Sequence, residues 1–130
     1  MRSLVILLAV CVSGCGLCSE RVVQTRLSSD GKVVATVVVR DCGATTSEVT
    51  LILIKSRYRW LGLDEKVVAN LKYTHDVDVN WLASDQLVIN CKSCAGDQDV
   101  QFEHQWRDVK IQFVQSAGPT RGQEKKNQGQ

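Results

Sequence analysis

Two runs of aliphatic residues constrain the fold of this chain more than any other feature. The first lies within residues 33–39 and contains five valines and Thr36, and the second spans residues 51–54. Both have the length of a strand, and turn residues rather than helix caps bound them. Apolar residues at successive positions are typical of strands that are covered on both faces. The sequence therefore predicts an all-β fold.

A hairpin is predicted around Asp30 and Gly31. The Asp-Gly dipeptide tolerates the positive φ angle that a tight hairpin turn requires. It lies just before the first valine run. We therefore expect residues 21–27 to pair with residues 33–40.

Alternation of apolar and polar side chains predicts further strands. Val77, Val79 and Trp81 alternate with Asp78 and Asn80, which is the pattern of a strand with one solvated face. Later segments follow the same logic: a turn at residues 83–86, a strand at 87–89, and a final pair made by a strand around Phe102 and by residues 109–113, joined near residues 106–108.

One segment leaves its secondary structure open. Residues 64–72 carry apolar side chains at helical spacing, at Val67, Val68 and Leu71, so a helical turn is an alternative there. Together the patterns predict a small antiparallel sheet or sandwich of about six to seven short strands.

The N-terminus has the order of an export signal. Arg2 precedes an apolar stretch at residues 4–12, which is too short to span a bilayer. The sequence Val12-Ser13-Gly14-Cys15 resembles the lipobox of bacterial lipoproteins, in which the signal is cut before the cysteine and its thiol is acylated. A plain cleaved secretory signal is the alternative. With Gly16 after the cysteine, the resemblance implies an outer-membrane anchor that faces the periplasm.

These features divide the chain into four parts. We expect a lipoprotein signal peptide that forms a helix at residues 1–14, a lipidated linker at 15–20, a β domain at 21–115 and a disordered tail at 116–130. The tail is rich in Gly, Gln and Lys and cannot bury enough apolar area to offset the entropy of ordering. Its Lys125-Lys126 pair could contact anionic lipid or cell-wall polymer.

The balance of charge argues against nucleic acid as a partner. The chain has 16 Lys plus Arg and 14 Asp plus Glu, and loss of Arg2 with the signal leaves 15 against 14. The charges of both signs are interspersed, whereas phosphate binding requires a clustered positive surface.

Four cysteines remain for the exported domain once Cys11 leaves with the signal and Cys15 carries lipid. They are Cys18, Cys42, Cys91 and Cys94. An oxidising compartment favours disulfides, and four thiols admit three pairings. The pairing that we favour joins Cys42 to Cys91 or Cys94.

The motif Cys91-Lys92-Ser93-Cys94 also permits two chemical alternatives. A CxxC pair can exchange disulfides, but that chemistry usually requires a helix N-terminus, and this segment follows a strand. A metal site could combine Cys42, Cys91 and Cys94 with His75 or His104. Only two of these ligands have diagnostic spacing, so we expect no metal and no other cofactor.

No catalytic constellation is evident elsewhere. His75 and Asp76 are followed by Asp78, but no nucleophile elbow, phosphate loop or metalloprotease motif accompanies them. A surface turn explains these residues, and we predict no catalytic residue.

An aromatic and basic cluster is the strongest candidate for a binding surface. Tyr58 and Trp60 are interleaved with Arg57 and Arg59 in the longest loop, next to Leu61. Tyr, Trp and Arg are enriched among the residues that anchor protein interfaces. Packing of these aromatic rings under the loop is the alternative.

Several strings together resemble a family of small bacterial lipoproteins of unknown function. They are Ser28-Ser29-Asp30-Gly31-Lys32, the more specific Asp41-Cys42-Gly43-Ala44-Thr45-Thr46, Val77-Asp78-Val79-Asn80-Trp81, Leu87-Val88-Ile89 and Val109-Lys110-Ile111-Gln112-Phe113. The match extends from Ser28 to Phe113, and Ser29 stands where the family usually has proline. The resemblance implies a lipoprotein domain and adds no mechanism.

The sequence thus predicts a membrane-anchored envelope lipoprotein without catalytic activity, acting as a binding or structural module. Its expected contacts are the membrane, through the lipid on Cys15, and an envelope protein or polymer. The alternative is an envelope thiol redox or metal-binding protein that uses Cys91 and Cys94.

Overall fold

The computed structural model describes residues 18–43, 46–59, 63–72, 76–94 and 100–115. Within these ranges the chain forms nine strands and no helix, which confirms the all-β prediction. The strands are β1 (Ser19–Leu27), β2 (Val33–Asp41), β3 (Val49–Ser56), β4 (Lys66–Leu71), β5 (Val77–Ala83), β6 (Gln86–Cys91), β7 (Val100–Phe102), β8 (Gln105–Trp106) and β9 (Val109–Gln115). Accordingly, the described ranges hold no helix that is long and apolar enough to span a bilayer.

The strands form two sheets. One has the order β1-β2-β3-β4-β7 and is antiparallel throughout, and the other has the order β5-β6-β9-β8. The second sheet contains one parallel pair, β6 with β9. The hairpin predicted around Asp30 and Gly31 is confirmed, because β1 pairs with β2 from Leu27 and Val34 at the turn to Ser19 and Asp41 at the far end.

The core lies between the two sheets. Its buried side chains come from both: Ala35, Val37, Ile52, Ile54, Val68, Ala69 and Leu71 from the first, and Val77, Val79, Leu87, Ile89, Cys91, Val109 and Ile111 from the second. Both Val37 and its neighbour Val38 are buried, so this part of β2 is covered on both faces, as the valine run indicates. Burial of the apolar surface of these side chains is the main driving force of folding.

A β-bulge explains the ambiguous segment at residues 64–72. It contains β4 and no helical turn. Ile52 pairs with Ala69 and Leu53 pairs with Val67, so Val68 is an extra residue in the strand. A bulge places two successive side chains out of the normal alternation. The helical spacing of Val67, Val68 and Leu71 results from this bulge.

The predicted pairing of Phe102 is wrong. The strand that contains Phe102, β7, pairs with β4, and Phe102 lies opposite Ala69. The antiparallel partner of β9 is instead β8, through Trp106 and Val109. Phe102 and Phe113 still meet, because their rings stack across the core with centroids 5.0 Å apart.

One side of the sandwich is joined by side chains at the edges of both sheets. The Gln24 side chain on β1 donates a hydrogen bond to Asp78 Oδ1 (2.6 Å) and accepts one from the backbone N–H of Val79 (3.0 Å). The Trp81 indole N–H donates to the backbone carbonyl of Arg26 (3.2 Å). These bonds satisfy backbone groups at two strand edges, which would otherwise be open to pairing with other chains.

Two disulfides lie at one end of the sandwich, which we call the clamped end. Cys18 bonds to Cys42, and Cys91 bonds to Cys94. The expected bridge from Cys42 to Cys91 or Cys94 is therefore wrong. Cys18 immediately precedes Ser19, and Cys42 immediately follows its partner Asp41, so the β1–β2 register brings these thiols together.

The clamped end and the opposite end are defined by the strand directions. β1 begins at the clamped end, and β9 finishes there, because Cys91 pairs with Gln115. The β1–β2, β5–β6 and β8–β9 turns lie at the opposite end, which we call the cleft end. The predicted signal at residues 1–14, residues 15–17 of the predicted linker and the tail at residues 116–130 lie outside the described residues. The last two residues of the predicted linker, Ser19 and Glu20, belong to β1.

Candidate functional site

A cleft of about 420 Å³ opens at the cleft end, where turns from both sheets converge. Seven of its lining side chains carry charge or aromatic surface: Asp30 and Lys32 from the β1–β2 turn, Tyr58 after β3, Asp85 from the β5–β6 turn, Trp106 at the end of β8, and Arg107 and Asp108 from the β8–β9 turn. Polar groups that converge on a concave surface are typical of ligand sites.

The β1–β2 turn holds its wall of the cleft rigidly. The buried Ser28 hydroxyl donates a hydrogen bond to Asp30 Oδ1 (2.6 Å) and accepts one from the backbone N–H of Val33 (3.0 Å). The backbone N–H of Lys32 also donates to Asp30 Oδ1 (3.1 Å). Gly31 has a φ angle of 69°, which glycine adopts without steric cost. The hydrogen bond from Ser28 lowers the pKa of Asp30, with smaller help from Lys32, so this carboxylate is ionised at neutral pH.

Arg107 organises the opposite wall. Its guanidinium donates to Ser56 Oγ (3.1 Å), lies 3.3 Å from Asp64 Oδ2 and stacks on the Trp106 ring at 4.8 Å from the centroid. Arg107 has a φ angle of 51°, the left-handed region that non-glycine residues rarely adopt. Backbone strain of this kind persists only where surrounding contacts hold it, and it concentrates at functional sites.

Asp64 supports Arg107 from behind. Its side chain is only 5% exposed, and its Oδ2 accepts a hydrogen bond from the backbone N–H of Ser56 (3.1 Å). The Ser56 hydroxyl lowers the pKa of Asp64 most, and Ser56 N–H and the Arg107 charge lower it further, against the opposing effect of burial. Asp64 is therefore ionised at neutral pH and neutralises one of the cations at the cleft.

Two charged groups at the cleft have no such partners. The Asp85 and Asp108 carboxylates form no ion pair with the residues that the structure describes. Charged groups that face an open cleft without partners can exchange their water for a ligand with little loss of internal contacts.

The aromatic and basic cluster lies beside this cleft. Tyr58 lines it and is 76% exposed, and the Arg57 guanidinium lies over its ring at 5.6 Å from the centroid. Arg59 is exposed, and Trp60 lies outside the described residues. Tyr58 thus faces solvent, and the alternative that it packs under the loop does not apply.

Three exposed leucines lie close in sequence to residues that line the cleft or support it. Leu63 precedes Asp64 and is 83% exposed, and Leu82, two residues before Ser84, is 67% exposed. Leu27, three residues before Asp30, is also exposed. The three leucines add apolar surface at this end of the fold.

Sequence reasoning missed the residues that hold the cleft together, above all Trp106, Arg107, Asp64 and Ser56. They lie on three separate segments, and only the packing of the two sheets brings them into contact. The one local signal is the Trp-Arg-Asp string at residues 106–108, which by itself predicts only a turn.

The cysteine motif does not take part in the cleft. Cys91 and Cys94 are bonded to each other at the clamped end, and neither has any solvent exposure. Among the residues that the structure describes, no group of three or more His, Cys, Asp or Glu side chains could hold a metal ion. His104 makes an edge-on contact with the Phe102 ring at 4.7 Å, and His75 lies outside the described residues.

No family model, curated protein or solved structure matches this chain.

Proposed function

We propose that the protein is a non-catalytic lipoprotein of the bacterial envelope, anchored through Cys15, whose β domain binds another envelope protein at the cleft end. The observation that carries the proposal is the combination, at one end of the fold, of an open cleft with exposed Tyr58, its stacked Arg57 and the leucines Leu63 and Leu82. Tyrosine and arginine provide most of the binding energy in many protein interfaces.

The sequence supports the anchor. Residues 1–15 have the order of a lipoprotein signal, and the strings that resemble small bacterial lipoproteins extend over most of the domain. Two disulfides fit an oxidising compartment such as the periplasm.

Metabolic labelling tests the anchor. Cells that express the wild-type chain are fed an alkyne fatty acid, and the same is done with the variant Cys15→Ala. We expect label on the wild type only, and the intact mass should correspond to a chain that begins at an acylated Cys15. An unlabelled wild type would contradict lipidation.

Site-specific crosslinking tests the binding surface. A photoreactive phenylalanine analogue replaces Tyr58 in one variant and Ser47, which is exposed at the clamped end, in a matched control. We expect a protein adduct from position 58 that decreases when Arg57→Ala and Leu63→Ala are added, and no such adduct from position 47. Equal adducts from both positions, or an adduct that contains a polymer instead of a protein, would contradict the proposal.

The alternative function, thiol redox or metal chemistry at Cys91 and Cys94, requires access to the sulfur atoms. Both residues are fully buried, and a strand rather than a helix N-terminus precedes them, whereas reactive cysteines are usually partly exposed and often lie at a helix N-terminus. Mass spectrometry after brief alkylation under mild reduction distinguishes the two functions. Rapid modification of Cys91 and Cys94 in the folded protein would favour the redox function.

A further inference from the structure

The start of β1 combines a weak strand with a strong covalent bond. β1 is an edge strand that pairs only with β2 in its sheet, and eight of its nine residues are exposed. Such a strand can peel from its neighbour at low cost, because little apolar surface is lost. The Cys18–Cys42 disulfide lies directly beyond its first pair and prevents separation from that end.

The bridge lies very close to the proposed lipid. Only two residues, Gly16 and Leu17, separate Cys15 from Cys18. A fully extended chain spans at most about 3.6 Å per residue, so Cys15 and Cys18 can be no more than about 11 Å apart. The fold therefore begins almost at the bilayer surface.

The cleft lies far from this attachment point. β1 has nine residues and leads from the bridge to the β1–β2 turn that lines the cleft. At a rise of about 3.4 Å per residue, the strand covers about 27 Å, which is more than twice the reach of the tether. The chain also leaves β9 at the clamped end, so the segment with Arg121, Lys125 and Lys126 starts there too.

From these observations we infer that the Cys18–Cys42 disulfide is an anchor clamp: it holds the clamped end against the bilayer and points the cleft away from the membrane, toward proteins in the aqueous compartment. This inference rests on the proposed lipidation of Cys15. Without the bridge, the first part of β1 can peel away as far as Gln24, where the hydrogen bonds to Asp78 and Val79 hold the strand. The tether then lengthens by about five residues, or about 17 Å, and the domain loses its fixed orientation.

Two ion pairs on the outer face of the first sheet argue against an orientation in which the domain lies flat on that face. The ion pair between Lys55 and Glu65 (3.3 Å) and the one between Arg40 and Glu20 lie near opposite ends of this face. If this face lay on the bilayer, these charged groups would lose solvation energy. If the face points to water, they keep it.

The lysines of the chain provide a test with the native protein. Lys72 and Lys92 lie at the clamped end, and Lys32, Lys55, Lys66 and Lys110 lie at or near the cleft end. The full-length lipidated protein is placed in lipid nanodiscs and treated with an amine-reactive acetylating reagent, and mass spectrometry gives the rate at each lysine. The reference is the unlipidated mature chain, residues 16–130, so that each lysine is compared with itself.

We expect acetylation of Lys72 and Lys92 to slow several-fold in nanodiscs, while Lys32 and Lys110 react at unchanged rates. In the lipidated Cys18→Ser, Cys42→Ser variant, with its fold verified by circular dichroism, the slowing at Lys72 and Lys92 should disappear. Slowing at Lys55 instead would indicate a domain that lies on its sheet face, and slowing at Lys32 would indicate the opposite orientation. Either result, or persistence of the protection without the bridge, would overturn the inference.

The intact mass separates this inference from the proposed function. A chain that carries no acyl group refutes the anchor itself, whereas an acylated chain whose lysines all react at unchanged rates refutes only the orientation.

Discussion

The two ends of the sandwich are held together by different kinds of bond. At the clamped end, two disulfides fix strand ends, and one of them lies in the core. At the cleft end, hydrogen bonds and one ion pair hold the turns, through Asp30, Asp64 and Arg107. Covalent bonds are insensitive to what contacts the surface, which suits an attachment point. Polar networks leave backbone and side chains open to solvent, which suits a surface that binds.

The largest expected effect concerns the clamped end. The Cys18–Cys42 bridge spans 24 residues of sequence, so the double substitution Cys18→Ser, Cys42→Ser should lower the free energy of unfolding by about 3 kcal/mol in the loop-entropy model. Urea denaturation of the soluble domain measures the change. A loss below about 1 kcal/mol would show that the bridge contributes little to the stability of the clamped end.

A substitution at the cleft end should have the next largest effect. Asp64→Asn removes the charge that Arg107 and Ser56 contact, at a cost of about 2 kcal/mol. The matched control is Glu65→Gln, which removes an exposed ion pair with Lys55 and should change stability by less than about 0.5 kcal/mol. Equal effects from the two variants would argue against the network at the cleft end.

The same network predicts a dependence on pH. The pKa of Asp64 is lower in the folded protein than in the unfolded chain. Its contribution is therefore fully present above the unfolded pKa and is lost as the pH falls through the folded pKa. Denaturation measured from neutral to acidic pH should show a shallower loss of stability in Asp64→Asn than in the wild type. Parallel profiles for the two proteins would contradict this assignment.

The side contact between the sheets should contribute less. Gln24→Ala removes the hydrogen bonds to Asp78 and to Val79 N–H, and we expect a loss of about 1.5 kcal/mol together with a greater tendency to aggregate at the open edges. Gln24→Glu retains an acceptor for Val79 but places a negative charge beside Asp78. Size-exclusion chromatography and urea denaturation of both variants test the contact, and an aggregation-free, fully stable Gln24→Ala protein would count against it.

The smallest effect is expected at the hairpin turn. Gly31→Ala introduces a Cβ at a φ angle of 69°, at a cost of about 1 kcal/mol, although the nearest atom, Arg57 Nη1, is 3.5 Å away and does not clash. Gly31→Asn should cost less, because asparagine tolerates this conformation better. Thermal denaturation ranks the stabilities of the wild type and the two variants. An alanine variant as stable as the wild type would show that this turn does not require glycine.

Local patterns predicted the parts of the fold that depend on neighbours in sequence. The Asp-Gly turn, the valine runs and the alternation from Val77 to Trp81 each identify a strand or hairpin, because side-chain period and turn chemistry are local properties. The bulge at Val68 hid β4, because an extra residue destroys the alternation on which strand prediction depends.

The remaining features depend on which strands become neighbours in space. The disulfide pairing follows the β1–β2 register, and the partner of Phe102 follows the position of β7 beside β4. The cleft is assembled from turns that are distant in sequence. Tyr58 is a candidate because aromatic and basic residues are adjacent to it in the sequence, whereas no such local cluster identifies Arg107.

The position of β9 in the second sheet bears on the order of events in biosynthesis. β9 is the last strand in the part of the chain that the structure describes, yet it lies between β6 and β8 and contributes Val109 and Ile111 to the core. The sandwich therefore cannot close until the chain has been made almost to Gln115, and until then the first sheet lacks a complete partner sheet.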